Sequence, residues 1–299
     1  MHGGILHVNH IKDQIHCERA YRMGLSGKGI GVAVLDTGIF LHRDFDSRVT
    51  GFADMVNRRN FAYDDCGHGT HICGIIGGSG RYSGIAPGCN LIMVKVLDRK
   101  GNGYSSDVLA GISWVLERKE QLGIRILNIS VGACSKRGMS ENSALVKGVN
   151  RAWDAGLVVV VAAGNNGPRT MSITTPGISR KVITVGCSDD DREVLVGGNR
   201  MVDYSGRGPT AACICKPDLV APGCSVVSCS SRADKYTIKS GTSMSTPIVS
   251  GAIALLLERF PDMSNKDVKL RLRESSVDIG LPRNQQGWGL LDVGKMIGK

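Results

Sequence analysis

The chain has 299 residues, 42% of them apolar and 21% charged, a balance that excludes a disordered polymer and allows a sizeable core without disulfide staples. Its net charge of +10 would draw acidic partners by long-range attraction, but no run of five or more like charges and no nucleic-acid motif accompanies it, so nucleic-acid binding is not expected. No segment approaches the ~18 consecutive apolar residues of a membrane span, and membrane association is not expected either.

The N-terminus, Met1-His2-Gly3-Gly4-Ile5-Leu6-His7, lacks the basic start and long apolar stretch of an export signal. With ten cysteines in the chain, that predicts reduced thiols and a cytoplasmic protein. Neither the irregular cluster His2, His7, His10 and His16 nor the pairs Cys213/Cys215 and Cys224/Cys229 has the spacing of a zinc ribbon, so no metal site is expected. Residues 1–10 read as a short extension and 11–299 as one domain, since no linker, repeat or low-complexity tract intervenes.

Within that domain, Gly31–Asp36 reads as a buried strand, followed by Leu91–Leu97, Ile124–Val131, Leu157–Ala163 and Val182–Val185. Runs this apolar suit strands covered on both faces, as in parallel sheets. Helical patterns alternate with them. One is capped by Ser106, with Val108, Leu109, Ile112, Val115 and Leu116 inward, and another runs through Ala144, Leu145, Val149 and Trp153. A third starts near Ser243 and stops before Pro261, with Pro247 in its first turn. A fourth opens at Ser264, with Asp267 placed for a reciprocal cap. The alternation predicts an α/β fold: a mainly parallel central sheet in three layers, with helices on both faces. Sites in such sheets gather beyond the carboxyl ends of the strands, where Asp36, Ser130-Val131-Gly132 and Asn165 fall.

Three segments offer the parts of a covalent acyl-transfer site: a nucleophile, a base, and a group that orients the base. A carboxylate closing an apolar strand, as in Val34-Leu35-Asp36-Thr37-Gly38, is costly to bury unless its charge is used, although a lone aspartate is more often a turn or cap. Gly67-His68-Gly69-Thr70-His71 leaves an imidazole between small neighbours; its histidines stand three apart, not the four of a helical zinc pair. In Ser240-Gly241-Thr242-Ser243-Met244 the serine would by default be a helix cap. The order Asp, His, Ser is that of subtilisin, and differs from the orders of chymotrypsin and the α/β-hydrolases.

With Ala162-Ala163-Gly164-Asn165, Gly84-Ile85-Ala86-Pro87, Ser205-Gly206-Arg207-Gly208-Pro209 and Lys216-Pro217-Asp218-Leu219-Val220-Ala221-Pro222-Gly223, the chain resembles the subtilases from about Ile11 to Ile297. It is most similar to their intracellular bacterial branch. The resemblance implies a single-domain subtilisin-like peptidase with Ser243 as nucleophile, His68 as general base and then acid, Asp36 orienting the imidazole, and Asn165 donating to the oxyanion. His71 falls at a non-catalytic position. The substrate would be a peptide or protein laid as an extended strand between Gly101-Asn102-Gly103, which alone reads as a turn, and Ser130-Val131-Gly132. Ala162, Ala163 and Gly164 would wall the first specificity pocket, with Thr174 at its base.

The chemistry implies no cofactor. Residues 71–86 contain no carboxylate, so the calcium loop of many secreted relatives is not expected, because calcium takes several oxygen ligands. Asp189-Asp190-Asp191 reads as an exposed acidic turn, with weak calcium binding as the alternative. Cys66 and Cys73 flank the His68 segment, as reactive thiols or as inert small residues. Rival readings are a dedicated processing peptidase for one partner, an esterase, and a pseudopeptidase scaffold; the intact triad argues against the last. The sequence leaves the oligomeric state open.

Overall fold

The computed structural model describes residues 8–132 and 141–298. Its centre is a seven-stranded sheet in the order β2-β3-β1-β4-β5-β6-β9, every neighbouring pair parallel. The strands are β1 (Gly31–Asp36), β2 (Val49–Asp54), β3 (Asn90–Lys95), β4 (Ile124–Ile129), β5 (Val158–Ala162), β6 (Ile183–Cys187) and β9 (Leu219–Ala221). Two antiparallel hairpins stand apart, β7 (Val194–Val196) with β8 (Asn199–Met201), and β10 (Val226–Cys229) with β11 (Tyr236–Lys239). The α/β expectation is met, and the five expected strands form the sheet's middle. Three-residue β9 was too short to read as a run. β2 was missed because Thr50 and Gly51 interrupt its apolar pattern and only Asp54 is buried.

The helices are α1 (Val8–Gln14), α2 (Glu18–Arg22), α3 (His68–Gly77), α4 (Ser105–Arg118), α5 (Ala144–Asp154), α6 (Thr242–Arg259), α7 (Asn265–Ser275), α8 (Arg283–Gln286) and α9 (Val293–Ile297). Helix α1 starts at Val8, inside the expected 1–10 extension. Helix α4 is flanked by Tyr104 in the cap position, so Ser106 lies inside the first turn instead of capping it. Helix α7 has the expected reciprocal cap between Ser264 and Asp267.

The chain's traverse reverses at β1: β2 and β3 lie on one side of it, β4 onward on the other. That is a topological switch point, and Asp36 closes the strand there. Helix α6 passes behind β1, β4, β5, β6 and β9 and packs on α3. It is apolar all round, which suits a helix with no solvent face, and every residue from Met244 to Leu257 is buried. Pro247 is its sixth residue, not in the first turn as expected. Having no N–H, it leaves the Ser243 carbonyl without the usual partner four residues on.

Candidate active site

Asp36 is fully buried, where a carboxylate needs partners. Its Oδ1 accepts from the Thr37 backbone N–H at 2.7 Å. The His68 Nδ1 lies 2.8 and 2.9 Å from its two carboxylate oxygens. An ionised carboxylate can only accept, so the imidazole proton sits on Nδ1 and the Nε2 lone pair is left facing away. Gly67, at φ +86°, turns the chain into α3 in a left-handed conformation that glycine tolerates. A Cβ at Gly69 would come within 2.2 Å of the Gly38 carbonyl oxygen; the glycines around His68 allow α3 to sit against the end of β1.

Asp64, which sequence reasoning passed over, organises this junction. Its Oδ1 accepts from Thr37 Oγ1 and from the backbone N–H groups of Cys66 and Gly67. Its Oδ2 accepts from the N–H and hydroxyl of Thr70, so it satisfies an orphan donor in the first turn of α3. Fully buried Lys95 also escaped notice: its Nζ donates to the Thr37 and Leu97 carbonyls at 2.6 and 2.7 Å and to Asp65 Oδ1 at 2.7 Å. It ties the residue after Asp36 to the strand that leads into 101–103. A lysine inside Leu91-Ile92-Met93-Val94-Lys95-Val96 was its available signal.

Ser243 is the second residue of α6. Its hydroxyl donates to the Ser130 carbonyl at 2.7 Å. The Ser130 segment is itself fixed from behind: Asn128 Nδ2 donates to Ser130 Oγ at 2.9 Å, and Ser250 Oγ donates to Asn128 Oδ1 at 2.8 Å. All three are buried, so a polar brace inside the core joins β4 to α6. Asn165 Oδ1 accepts from both the backbone N–H and the hydroxyl of Thr242, each at 3.0 Å. That orients its amide NH2 away from Thr242. The Nδ2 lies beside Gly241, where a Cβ would approach it to 3.3 Å.

The two expected substrate edges share one cavity. Gly101, Asn102, Gly103, Val131 and Gly132 line a space of about 220 Å³, with Leu97, Val108, Ile129 and Leu145 among its apolar walls. The first edge is also a tight turn, with Asp98 N–H donating to the Asn102 carbonyl at 2.7 Å. Thr174 is 4% exposed, and both Gly132 and Gly164 are packed onto it; a Cβ on either would come within 2.4 Å of its side chain. Ala162 and Ala163 are 3% and 0% exposed, so their methyl groups belong to the core more than to a pocket wall.

His71 is fully buried, and its Nε2 faces the Val226 and Thr237 carbonyls at 3.1 and 3.2 Å. Burial lowers its pKa to about 3, against the weaker pull of those carbonyls, so it is a neutral structural donor. Burial also raises the Cys66 thiol, and raises Cys73 well above its ordinary value, which fits the inert alternative. The expected exposed turn 189–191 is corrected. Asp189 Oδ1 accepts from Gly223 and Cys224 N–H and buried Asp190 from Ser205 N–H; of the three, only Asp191 is exposed.

An Asp–His pair and a serine at the starts of two packed helices, on the carboxyl edge of a parallel sheet, define the architecture of a subtilisin-like protein. The subtilase family model matches residues 27–289, and the chain belongs to that family. It is 41% identical over 285 residues to serine protease AprX of Bacillus subtilis (strain 168), covering 87% of this chain and 64% of that protein's length. It is 32% identical over 284 residues to subtilisin DY of Bacillus licheniformis, covering 93% and 94% of the two chains. A cold-adapted subtilisin-like serine proteinase superposes with a TM-score of 0.75 at 29% identity, covering 90% of each chain.

Proposed function

We propose that the chain is a serine endopeptidase that cleaves proteins or peptides through an acyl-enzyme on Ser243. The observation that carries the reading is His68 Nδ1 held by both oxygens of fully buried Asp36, which leaves Nε2 as a base of fixed tautomer. In the proposed step the Ser243 hydroxyl leaves the Ser130 carbonyl, passes its proton to His68 Nε2 and attacks the substrate carbonyl carbon. The imidazolium is stabilised by Asp36 and then protonates the leaving amine. Charge on the former carbonyl oxygen is met by Asn165 Nδ2, already turned from Thr242, and by the Ser243 backbone N–H at the start of α6.

The substrate backbone is proposed to lie between 101–103 and 130–132, with Thr174 at the floor of the pocket before the cut. No cofactor enters these steps. Residues 11–299 are proposed as the catalytic domain. Nine cysteines in the described residues are free thiols, which supports work in a reducing compartment, proposed to be the cytoplasm. Labelling with a fluorophosphonate probe, followed by peptide mapping, tests the reading. Ser243 is expected to carry the label, and Ser243→Ala and His68→Ala to lose both labelling and cleavage of an unfolded protein substrate. Full labelling of Ser243→Ala would overturn it.

A further inference from the structure

Three potential metal ligands from two distant parts of the chain meet beyond the end of β6. Cys187 ends β6, Asp189 follows it, and Cys224 lies in the loop after β9. Their ligand atoms all lie within 4.8 Å of one another. Both cysteines are buried, at 0% and 3% exposure, beside fully buried Tyr204. The Tyr204 hydroxyl bridges them, 3.2 Å from Cys187 Sγ and 3.0 Å from Cys224 Sγ.

Asp189 supplies an independent observation. Its Oδ1 is saturated by the N–H groups of Gly223 and Cys224, at 2.7 and 3.2 Å, and by the Cys187 thiol at 3.0 Å. Its Oδ2 is buried with no hydrogen-bond partner in the described residues. A buried carboxylate oxygen left without a partner is costly, and this one belongs to a carboxylate whose other oxygen already accepts from the Cys187 thiol. The other mixed cluster, His42, Asp44 and Cys229, differs. There the His42 nitrogens engage the Lys235 carbonyl and the Asp44 N–H, and Asp44 accepts from Tyr236.

We propose that Cys187, Cys224 and Asp189 Oδ2 bind a thiophilic divalent cation of the zinc class. Two sulfurs and one carboxylate oxygen match the donors that zinc prefers, with water completing a four-coordinate set. Tetrahedral bonds of ~2.3 Å to sulfur and ~2.0 Å to oxygen place ligand atoms roughly 3.5–3.8 Å apart, so side-chain adjustments suffice. On binding, each thiol releases its proton to solvent, two metal–sulfur bonds and one metal–oxygen bond form, and no electrons are transferred. The Tyr204 hydroxyl then donates to a thiolate, and the two N–H groups keep Asp189 oriented. Because Gly241 N–H donates to the Gly223 carbonyl at 3.0 Å, the cation would clamp the end of β6 to the loop that fixes the approach to Ser243.

The test is a cobalt(II) titration of the full chain carrying Ser243→Ala, which prevents self-cleavage. One equivalent is expected to give a near-ultraviolet thiolate-to-cobalt band that zinc displaces, and zinc is expected to raise Tm. Cys187→Ser and Cys224→Ser should lose the band, and Cys229→Ser should keep it. Asp189→Asn, which retains an acceptor for the two N–H groups, should keep the band but bind at least ~10-fold more weakly. Circular dichroism checks that each variant is folded. The proposal is overturned if the parent shows no thiolate band, or if the band survives in Cys187→Ser/Cys224→Ser. It also falls if the two thiols are found joined as a disulfide and cobalt is ignored. None of these outcomes bears on fluorophosphonate labelling, so the peptidase reading stands or falls separately.

Discussion

Asn165, proposed as the oxyanion donor, shows how far a side chain's behaviour is set by its partners. Two bonds from Thr242 fix its carbonyl oxygen, so its NH2 needs no reorganisation as charge develops. In subtilisin, loss of the oxyanion-hole asparagine costs about 10²–10³ in kcat, and Asn165→Ala is expected to fall in that range with KM little changed. Steady-state kinetics on a peptide ester and a peptide amide would check it. His71 makes the opposite point. Its folded pKa, lowered to about 3 by burial, lies below its unfolded value of about 6.5. The unfolded chain therefore takes up the proton first as pH falls. The stability tied to the neutral ring is present above about pH 6.5 and drains away towards pH 3, by roughly 1 kcal/mol per pH unit. His71→Gln, which keeps a donor for the Val226 and Thr237 carbonyls, should flatten the fall of Tm over that window. An unchanged slope would show that other groups govern acid unfolding.

At the scale of elements, the junction of β4 with α6 carries the most consequence. Ser250 reaches Asn128, Asn128 reaches Ser130, and the Ser130 carbonyl holds the Ser243 hydroxyl. Ser250→Ala leaves a buried amide oxygen unsatisfied and is expected to cost about 1–3 kcal/mol of stability. It should also lower kcat/KM, whereas Ser276→Ala, at the end of α7, should not. Urea unfolding and cleavage assays on both variants separate the effects. This brace was not legible in the sequence, because Asn128, Ser130 and Ser250 matter only through their mutual placement. The strands were legible, since Val32-Ala33-Val34-Leu35 and Val158-Val159-Val160-Val161 are buried on both faces and leave no polar alternation to confuse the reading. Strand β2 at the sheet's edge, half solvated, carries no such signature.

For the whole molecule, the proposed site residues stand out in the sequence because each sits in a short stretch of small residues whose order along the chain is distinctive. What links them could not. Asp64 and Lys95 look like a loop acid and a strand cation until the fold places them around Thr37. Likewise, Cys224 looks paired with Cys229 by spacing, yet its neighbour in space is Cys187.

The helix that bears Ser243 is shielded from water over nearly its whole length. If Ser243 is the nucleophile as proposed, a copy that loosens enough to be cut has thereby scattered its own blade, so it would be prey and never predator. Loss of intact chain on warming should therefore quicken with total protein concentration, the intact fraction consuming the opened one. Diluted samples, or samples blocked at Ser243, should outlast concentrated ones; half-lives independent of dilution would contradict this.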